Sequence, residues 1–420
     1  MLTVHQALKR VLTAASPMPA ERVPLQTARG RVLAEDVASP RDVPPWDNSA
    51  MDGFAVCRAD FGDGVAELAV LETIGAGAVP TVAVAPGSCS RIMTGAPMPP
   101  GADAVVMIED SEDLGGDRVR LSDRPRDRQH VRPRGGDVGD GEIVLRAGHV
   151  LDAAAVGMLS ALGIPSVMVA QRPLVAVLST GDEVVEVGWP LEPGQIYSSN
   201  TLSLMGLIEA AGCIPMHCGI APDDEAGLRA ALARCLRADL VLTTGGVSVG
   251  DFDHVKDAFD GSLDFWKVRM KPGKPLAFGR IGGRPAVGLP GNPVSCMVGF
   301  LQFVRPVLRT MLGDPRPYLP VLDATLVDDL RKKPGRVHFV RVRLAWGAEG
   351  LEARSTGTQS SGVLRSMVDA DGFAVLPAAD GDVAAGTRVP VQVLDWRWAA
   401  GADAAYGFTD EDVDHLPHRC

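Results

Sequence analysis

The sequence has few cysteines, and none of them is paired at a metal-binding or redox spacing. There are seven, an odd number, and no two form a C-x-x-C motif. Cys213 and Cys218 flank an apolar run, but the chain offers no matching cysteine or histidine pair to complete a zinc site. We therefore expect reduced thiols and a cytoplasmic protein, because disulfides persist mainly in oxidising compartments.

The chain also lacks an excess of positive charge. It has 41 Lys and Arg residues against 52 Asp and Glu residues, a formal net charge of −11. This balance argues against nonspecific binding to nucleic acid or to an anionic membrane surface. It does not exclude an anionic ligand, because the charges that line a site decide what binds there.

No apolar stretch has the pattern of a membrane span, and no signal peptide is visible. Residues 153–170 carry no charge, but they contain Gly157, Gly163 and Pro165. A short helix, a turn and a short strand fit this pattern better than a span of ~20 residues. At the N-terminus, Thr3 is the expected cap of an amphipathic helix.

Apolar runs alternate with helical patterns between residues 173 and 315. The apolar runs are 173–178, 214–220 and 239–242, and the helical patterns are 199–211, 223–238 and 296–312. This alternation predicts βαβ units and a parallel sheet. Ligands of such sheets bind beyond the carboxyl ends of the strands, so the residues that follow each strand are candidates for a site.

Three carboxylates follow the strands of this predicted sheet. Glu183, Asp223 and Asp253 are far apart in sequence, but they should meet at one edge because the carboxyl ends of parallel strands lie together. Carboxylate oxygens suit a hard divalent cation. Asp223 is explained equally well as the N-cap of the next helix, a role that Asp224 could also fill.

A glycine-rich turn follows the apolar run at 239–242, and it contains Gly245, Gly246 and Ser248. Exposed backbone N–H groups and a hydroxyl at the end of a strand suit phosphate oxygens. An ordinary tight turn at the end of a core strand is the alternative explanation.

Two lysines stand in the proline- and glycine-framed string KPGKP at 271–275. Because proline restricts the backbone, Lys271 and Lys274 should be held in place, and a fixed pair of ammonium groups suits an oxyanion. The string LPGNPVS at 289–295 has the form of a strand end followed by a helix start, with Ser295 in the first turn. A solvated basic turn and a helix cap are the respective alternatives.

Two further regions have the patterns of β structure. Residues 45–138 contain short apolar runs between Gly- and Pro-rich turns, which predicts a β domain. Residues 319–396 are also strand-like and predict a small β barrel or sandwich. The tail at 399–420 is polar and acidic.

Seven motifs occur in the order that is typical of one enzyme family. They are PPWDNSAMDGFA (44–55), IMTGAP (92–97), TGDE (180–183), GQIY (194–197), GGVSVG (245–250), KPGKP (271–275) and LPGNPVS (289–295). Through these motifs the chain resembles the molybdopterin molybdenumtransferase family, which includes MoeA and the gephyrin E-domain, as far as residue 398. Ser198 departs from the family pattern, in which an aspartate is common at this point.

The resemblance implies an α/β multidomain fold and a homodimer. A doubly wound, mostly parallel sheet domain of the molybdopterin-binding type would be joined by β-rich domains and a C-terminal β barrel. The implied domains are 1–44 with 139–172 (linker and dimerisation), 45–138 (β), 173–316 (α/β) and 317–398 (barrel), with a tail at 399–420. The substrate cleft would lie between the α/β domain of one subunit and the β domain of the other.

The resemblance also implies a reaction and a set of residues. Adenylylated molybdopterin is cleaved with Mg²⁺, and molybdate supplies molybdenum to the dithiolene, which gives molybdenum cofactor and AMP. Glu183, Asp223 and Asp253 would hold the Mg²⁺. The residues implied in catalysis are Asp52, Thr94, Asp137, Lys271 and Lys274, and those implied in substrate binding are Gly245, Gly246, Ser248, Pro290, Pro293, Ser295, Arg341 and Ser361. Of these, Lys271, Lys274, Ser295, Arg341 and Ser361 suit a molybdate pocket.

Plainer explanations and other functions compete with this assignment. The plainer roles are a turn residue (Asp52), a hydroxyl cap (Thr94), a loop ion pair (Asp137), a strand-surface arginine (Arg341) and a loop serine (Ser361). One competing function is the adenylyltransferase that makes the substrate, which the segments 1–172 and 316–398 argue against. The other is a noncatalytic scaffold, for which no long linker or fused domain is visible. The resemblance also allows contacts with other proteins of molybdenum-cofactor biosynthesis.

Overall fold

A computed structural model describes residues 1–62, 64–222, 224–245 and 264–399, without the side chain of Phe265. The chain divides into two compact units. The large unit holds residues 1–21, 30–32 and the described chain from 169 onward, and the small unit holds residues 22–29 and 33–168. Four of the predicted site residues lie outside the described residues, namely Asp223, Gly246, Ser248 and Asp253.

The helices lie close to their predicted positions, except for the last and shortest one, which was not predicted from the sequence. They are α1 (Val4–Val11), α2 (Ala153–Ala161), α3 (Ser199–Ala210), α4 (Glu225–Cys235), α5 (Pro293–Gly299), α6 (Arg305–Met311) and α7 (Arg365–Val368). Short 3-10 turns occur at Leu12–Ala14, Leu25–Thr27, Arg58–Asp60, Ile108–Asp110 and Arg397–Ala399. Thr3 caps α1 through reciprocal hydrogen bonds with Gln6, as the sequence predicts.

The helix expected at 296–312 is not one continuous α-helix. It begins earlier, as α5, then passes through a π-helical turn at Phe300–Val304 and continues as α6. Pro306 accounts for the interruption, because it has no N–H to donate to the carbonyl four residues before it. Ser295 lies in the first turn of α5, as predicted.

The small unit is built on a six-stranded sheet, which confirms the β structure expected within residues 45–138. The strands as far as residue 172 are β1 (Ala20–Pro24), β2 (Val37–Ala38), β3 (Asn48–Ser49), β4 (Gly53–Val56), β5 (Ala66–Ile74), β6 (Ser88–Ile92), β7 (Ala104–Met107), β8 (Ser111–Asp113), β9 (Arg118–Leu121), β10 (Val131–Arg132), β11 (Ile143–Leu145) and β12 (Ser166–Ala170). The sheet has the order β7-β4-β6-β5-β9-β8, and the short strands β10 and β3 pair separately. Strand β6 was not predicted, because Ser88 and Ser90 are buried in it and interrupt the apolar alternation of a strand.

The uncharged segment at 153–170 has the structure that its glycines and proline predict. It forms helix α2, a turn and strand β12 rather than one helix. None of the helices in the described part of the chain is long and apolar enough to cross a membrane.

The α/β part of the large unit contains a six-stranded, mostly parallel sheet. Its strands and their short neighbours are β13 (Leu174–Thr180), β14 (Val184–Val185), β15 (Ile196–Tyr197), β16 (Ile214–Ala221), β17 (Leu240–Thr244), β18 (Asp264–Lys267), β19 (Met270–Lys271), β20 (Pro275–Ile281) and β21 (Arg284–Leu289). The order is β16-β13-β17-β21-β20-β18, and the first four strands are mutually parallel, as predicted. Helix α4 packs through Leu228 and Leu232 against Leu178 and Val241 on one face of this sheet.

The C-terminal region is a closed barrel, which confirms the fold that the resemblance implies and excludes the sandwich that the strand pattern also allowed. Its strands are β22 (Val321–Leu326), β23 (Val337–Gly347), β24 (Gly350–Ser355), β25 (Gly372–Leu376) and β26 (Arg388–Val393). The order β23-β24-β22-β26-β25 is closed by pairing of β23 with β25. Strand β19 joins the outside of β23 in parallel, so the KPGKP string begins beside the barrel.

Candidate active site

The strands β16, β13, β17 and β21 end side by side at one edge of the α/β sheet. Their registers pair Thr180 with Ala221, Ser179 with Thr244, and Thr244 with Leu289. This is the edge at which the sequence predicts a site, because parallel strands bring their carboxyl ends together.

A buried network of hydroxyl groups connects these strand ends. Ser179 Oγ lies 2.7 Å from Thr201 Oγ1 and 3.1 Å from Thr244 Oγ1. Ser198 Oγ lies 2.8 Å from Thr201 Oγ1 and 3.3 Å from Ser179 Oγ. Ser198, where the family commonly has an aspartate, therefore joins a neutral network, and a carboxylate here would place a buried charge among hydroxyls.

Gly245 begins the glycine-rich turn with a backbone that only glycine adopts freely. Its φ is +86°, and a Cβ atom there would lie 2.8 Å from both the carbonyl oxygen and Oγ1 of Thr180. Its N–H donates to the carbonyl of Leu289 at 3.3 Å. The glycine thus lets the end of β17 approach both neighbouring strands closely.

Of the three predicted metal ligands, only Glu183 is described. Its side chain is exposed, and its carboxylate lies over Gly181, where a Cβ would stand 2.5 Å from Glu183 Oε2. Strand β16 ends at Ala221, two positions before Asp223. The N-cap of α4 is Asp224, which accepts from the Gly227 N–H at 2.8 Å, so this helix does not require Asp223 as its cap. The described residues contain no group of three or more potential metal ligands, and the metal site stays a prediction.

A cavity of ≈ 580 Å³, which we call the oxyanion cavity, brings together four of the five residues predicted for molybdate. These four are Lys271, Lys274, Ser295 and Ser361. Other lining residues include Asn292, Arg336, Gln359 and Ser360. The site therefore presents ammonium, guanidinium, hydroxyl and amide groups to a single space.

Four segments form this cavity, namely residues 270–275, the start of α5, the residue before β23 and the 356–361 loop. Backbone contacts hold them together. The register of β19 with β23 sets Lys271 opposite His338. Gly273 has φ +92° and would direct a Cβ to within 3.1 Å of Met270 Cε, so a glycine lets this turn pack tightly between the lysines. The N–H of Val294 donates to the carbonyl of Ser361 at 3.1 Å, which ties the start of α5 to the 356–361 loop.

The two prolines of the LPGNPVS string shape the wall rather than line it. Pro293 is the first residue of α5, a position where its missing N–H costs no helical hydrogen bond. Pro290 is buried directly after β21. Neither lines the oxyanion cavity.

Arg341 is buried, so the alternative of a strand-surface arginine is wrong. It is 0% exposed and does not line the oxyanion cavity. Its Nη2 donates to the carbonyl of Ser360 at 3.1 Å, and its backbone N–H donates to Gln359 Oε1 at 2.9 Å. It thus holds the loop that carries Ser361.

The guanidinium of Arg341 is only partly compensated. Its Nε donates to Ser366 Oγ at 3.2 Å, but Nη1 is buried without a hydrogen-bond partner among the described residues. Burial lowers the pKa of Arg341 to about 10, which leaves the side chain charged at neutral pH. A buried, uncompensated cation directly behind the cavity wall favours an anion in the cavity.

Sequence reasoning missed Arg336, Asn292, Gln359 and Ser360 as lining residues. Three of them could have been predicted, because Asn292 belongs to the LPGNPVS string and Gln359 and Ser360 directly precede Ser361. Arg336 had no local signal. It reaches the cavity because β19 pairs with the start of β23, a contact between segments more than sixty residues apart.

In the small unit, Asp52 and Thr94 form a hydrogen-bonded pair. Strands β4 and β6 are antiparallel with Gly53 opposite Ile92, so the residues just outside that pair face each other. Asp52 Oδ1 accepts from both the backbone N–H and Oγ1 of Thr94, each at 2.7 Å. These hydrogen bonds, first that from the backbone, lower the pKa of Asp52, and Arg91 adds a smaller effect in the same direction.

The position of this pair depends on Gly53. A Cβ at Gly53 would lie 1.9 Å from the carbonyl oxygen of Val106, so any other residue would push β4 away from β7.

Asp137 is exposed, and its N–H donates to the carbonyl of Val43 at 3.0 Å. Among the described residues it makes no ion pair and no hydrogen bond with Asp52 or Thr94. The loop ion pair considered for Asp137 is made instead by its neighbours Arg134 and Asp42.

Comparison with protein families divides the chain into three matched regions. Residues 2–163 match the MoeA N-terminal region (domains I and II). Residues 176–310 match the probable molybdopterin binding domain. Residues 323–394 match the MoeA C-terminal region (domain IV). Together these matches cover nearly all of the described chain.

Individual relatives and solved structures agree with this division. The chain is 41% identical over 382 residues to molybdopterin molybdenumtransferase 2 of Mycobacterium tuberculosis, covering 88% of this chain and 94% of that protein. It is 39% identical to the molybdopterin molybdenumtransferase of Haemophilus influenzae, covering 93% and 98% respectively. A crystal structure of the molybdopterin biosynthesis MoeA protein of Pyrococcus horikoshii OT3 matches with a TM-score of 0.82 and 31% identity, over 94% of this chain and 100% of that one. The chain therefore belongs to the MoeA family, the molybdopterin molybdenumtransferases.

Proposed function

We propose that the protein binds molybdate in the oxyanion cavity and transfers its molybdenum to molybdopterin, releasing AMP from the adenylylated form. The observation that carries this proposal is the convergence of Lys271, Lys274, Ser295 and Ser361 on one space. Neither lysine is paired with a described carboxylate, so both charges are available to a ligand. Fixed ammonium groups and hydroxyl donors suit a tetrahedral dianion, because charge-assisted hydrogen bonds are roughly twice as strong as neutral ones.

Arg341 supports this role from behind the wall. It does not touch the cavity, but it fixes the loop of Gln359 and Ser360 and adds a buried positive charge. We assign it to positioning the loop and to the local potential, and we assign direct contact with molybdate to the two lysines and the two serines.

Mg²⁺ is the metal that this reaction implies, and Glu183 has the chemistry to hold it. Its carboxylate is exposed, lies just beyond β13 and is unpaired among the described residues. Asp223 and Asp253 would complete the ligand set. Bound there, the ion would neutralise charge on the phosphates of the substrate. Gly246 and Ser248 would offer N–H and hydroxyl donors to the same phosphates, and Gly245, whose N–H donates to Leu289, would start the turn that carries them.

Asp52 acts in this proposal as an ionised acceptor. Two donors from Thr94 hold its carboxylate in one orientation and keep its pKa low, which suits an acceptor better than a proton donor at neutral pH. Asp137 is assigned a role in the same domain on the family resemblance alone. We further propose a cytoplasmic homodimer, in which the small unit of one subunit completes the cleft of the other.

Substitution of Lys274 by alanine tests the molybdate site. A hydrogen bond to a charged group contributes about 1.5–3 kcal/mol, so we expect roughly ten- to hundredfold weaker use of molybdate. The measurement is a molybdate titration of cofactor formation with adenylylated molybdopterin as the second substrate. AMP release without molybdate should be affected less.

Lys267→Ala is the matched control, because Lys267 is an exposed lysine seven positions earlier that does not line the cavity. It should leave the molybdate titration unchanged. Equal titrations for Lys274→Ala and the unmodified protein would reject the site. Adenylylation of free molybdopterin by ATP, without any transfer of molybdenum, would favour the competing adenylyltransferase.

A further inference from the structure

A second cavity adjoins the oxyanion cavity and has a different lining. It measures ≈ 600 Å³ and is lined by Lys271, Arg331, Lys332, Lys333, Arg336 and His338, together with Pro334 and Asp382. We call it the barrel-side cavity, because most of its residues belong to β23 and to the segment before it. Five cationic side chains face one carboxylate, and none of the five is ion-paired to a described residue. This excess of positive charge favours an anionic ligand.

Two buried polar groups in this lining indicate a constructed site rather than a basic surface. Lys332 is 7% exposed, and its Nζ donates to the carbonyl of Asp380 at 2.6 Å, while its N–H donates to Asp382 Oδ1 at 2.7 Å. His338 is 5% exposed, and its Nε2 is buried without a hydrogen-bond partner among the described residues. An unpaired buried nitrogen costs free energy, so a ligand that engages it is favoured.

Burial, together with the surrounding charges, keeps His338 neutral. Its pKa is lowered to about 4, mainly by burial and further by the positive charges of Lys271, Arg341, Lys332 and Arg336. The imidazole is therefore neutral at physiological pH. A neutral imidazole with its proton on Nε2 is a hydrogen-bond donor that adds no further repulsion among the cations.

We propose that the barrel-side cavity is a phosphate-binding site, in which Arg331, Lys333 and Arg336 supply the charge and His338 supplies a neutral donor. Arginine side chains bind tetrahedral oxyanions through two parallel N–H groups, and phosphate carries the charge that this lining lacks. The two cavities share Lys271 and Arg336, whereas Lys274 and Ser295 line only the first. The phosphate is either free in solution or part of the substrate bound at the neighbouring site, and the second case rests on the proposed function.

Inorganic phosphate titrated into the full-length protein by calorimetry tests the proposal without any need for activity. Arg331 and Lys333 are exposed and line only the barrel-side cavity, so the double variant Arg331→Ala/Lys333→Ala should fold normally. We expect it to bind phosphate at least about tenfold more weakly, because two charge-assisted contacts are removed. His338→Phe should also weaken phosphate binding, because it removes both ring nitrogens while keeping an aromatic side chain.

Two controls separate this site from its neighbour and from general electrostatics. Lys274→Ala should leave phosphate binding intact, and so should Arg388→Ala, which removes a 75% exposed side-chain charge elsewhere on the barrel. Phosphate binding that is lost in Lys274→Ala but kept in the double variant would overturn the proposal. Equal losses of phosphate affinity in the double variant and in Arg388→Ala would also overturn it. The same holds if phosphate proves to be an adventitious ion only, bound with the same weak affinity by every variant.

The source of the phosphate follows from competition with the substrate. If the cavity takes a phosphate of the substrate, phosphate should inhibit AMP release competitively, and the double variant should raise KM more than it lowers kcat. If it takes free phosphate, KM for the substrate should be the same in the double variant. Both patterns support a phosphate site, and the calorimetric result stands even where the enzyme proves inactive in the assay.

Discussion

Replacing Gly245 by alanine should destabilise the α/β sheet at the edge where its strands end. The backbone has φ +86°, and a non-glycine residue in this region costs roughly 1–2 kcal/mol. The new Cβ would also lie 2.8 Å from the backbone oxygen of Thr180, an atom that cannot rotate away. Overpacking of this kind costs about 1–3 kcal/mol, so the two effects together amount to about 2–5 kcal/mol.

The two contributions can be separated with a second glycine of the same sheet. Gly283 has φ +79°, but a Cβ there meets nothing within 4 Å, so Gly283→Ala carries only the backbone strain of about 1–2 kcal/mol. Urea unfolding of both variants and the unmodified protein, followed by far-UV circular dichroism, measures the difference. AMP release should fall in Gly245→Ala, because the glycine-rich turn starts at this residue, and should be unchanged in Gly283→Ala.

If Gly245→Ala is destabilised no more than Gly283→Ala, the predicted overpacking contribution is contradicted. That result would mean that β13 and β17 separate at this edge without cost, and that the close approach of Gly245 to Thr180 is not a constraint. Loss of AMP release with unchanged unfolding would instead place the effect on the ligand alone.

Two further predictions concern the small unit and the assembly. In the folded protein the pKa of Asp52 lies below the ordinary value of 3.8. The hydrogen bonds from Thr94 to the ionised carboxylate therefore stabilise the fold above pH 3.8. This stabilisation is lost as the pH falls through the pKa of the folded state. Asp52→Asn should therefore be less stable than the unmodified protein at about pH 7, as measured by urea unfolding. The difference in the free energy of unfolding should shrink towards about pH 3. A difference that is independent of pH would contradict the assignment. For the proposed dimer, mixing inactive Asp52→Ala and Glu183→Ala subunits should restore AMP release, because one of the two shared clefts in a mixed dimer carries neither change. Verified subunit exchange without recovered activity would exclude a shared cleft, though not the reaction.

Much of the fold could be predicted from local patterns. Alternating apolar runs and helices between 173 and 315 predicted the parallel sheet, and the cap at Thr3 and the break at 163–165 were readable because each depends on neighbouring residues. The strand pattern at 319–396 left a barrel and a sandwich as alternatives, and only the family resemblance implied the barrel that the structure confirms. Closure depends on pairing β23 with β25, and a strand pattern does not state its partner.

The family, the order of the motifs and most residue types of the oxyanion site could be predicted from the chain alone, because Lys271, Lys274 and Ser295 belong to short recognisable motifs. Three features required the folded structure: Arg341 lies behind the wall, Arg336 lines the cavity, and a second cavity opens beside His338. The physical reason is that burial and charge neighbourhood arise from pairing β19 with β23, which joins segments more than sixty residues apart and leaves no mark in either segment alone.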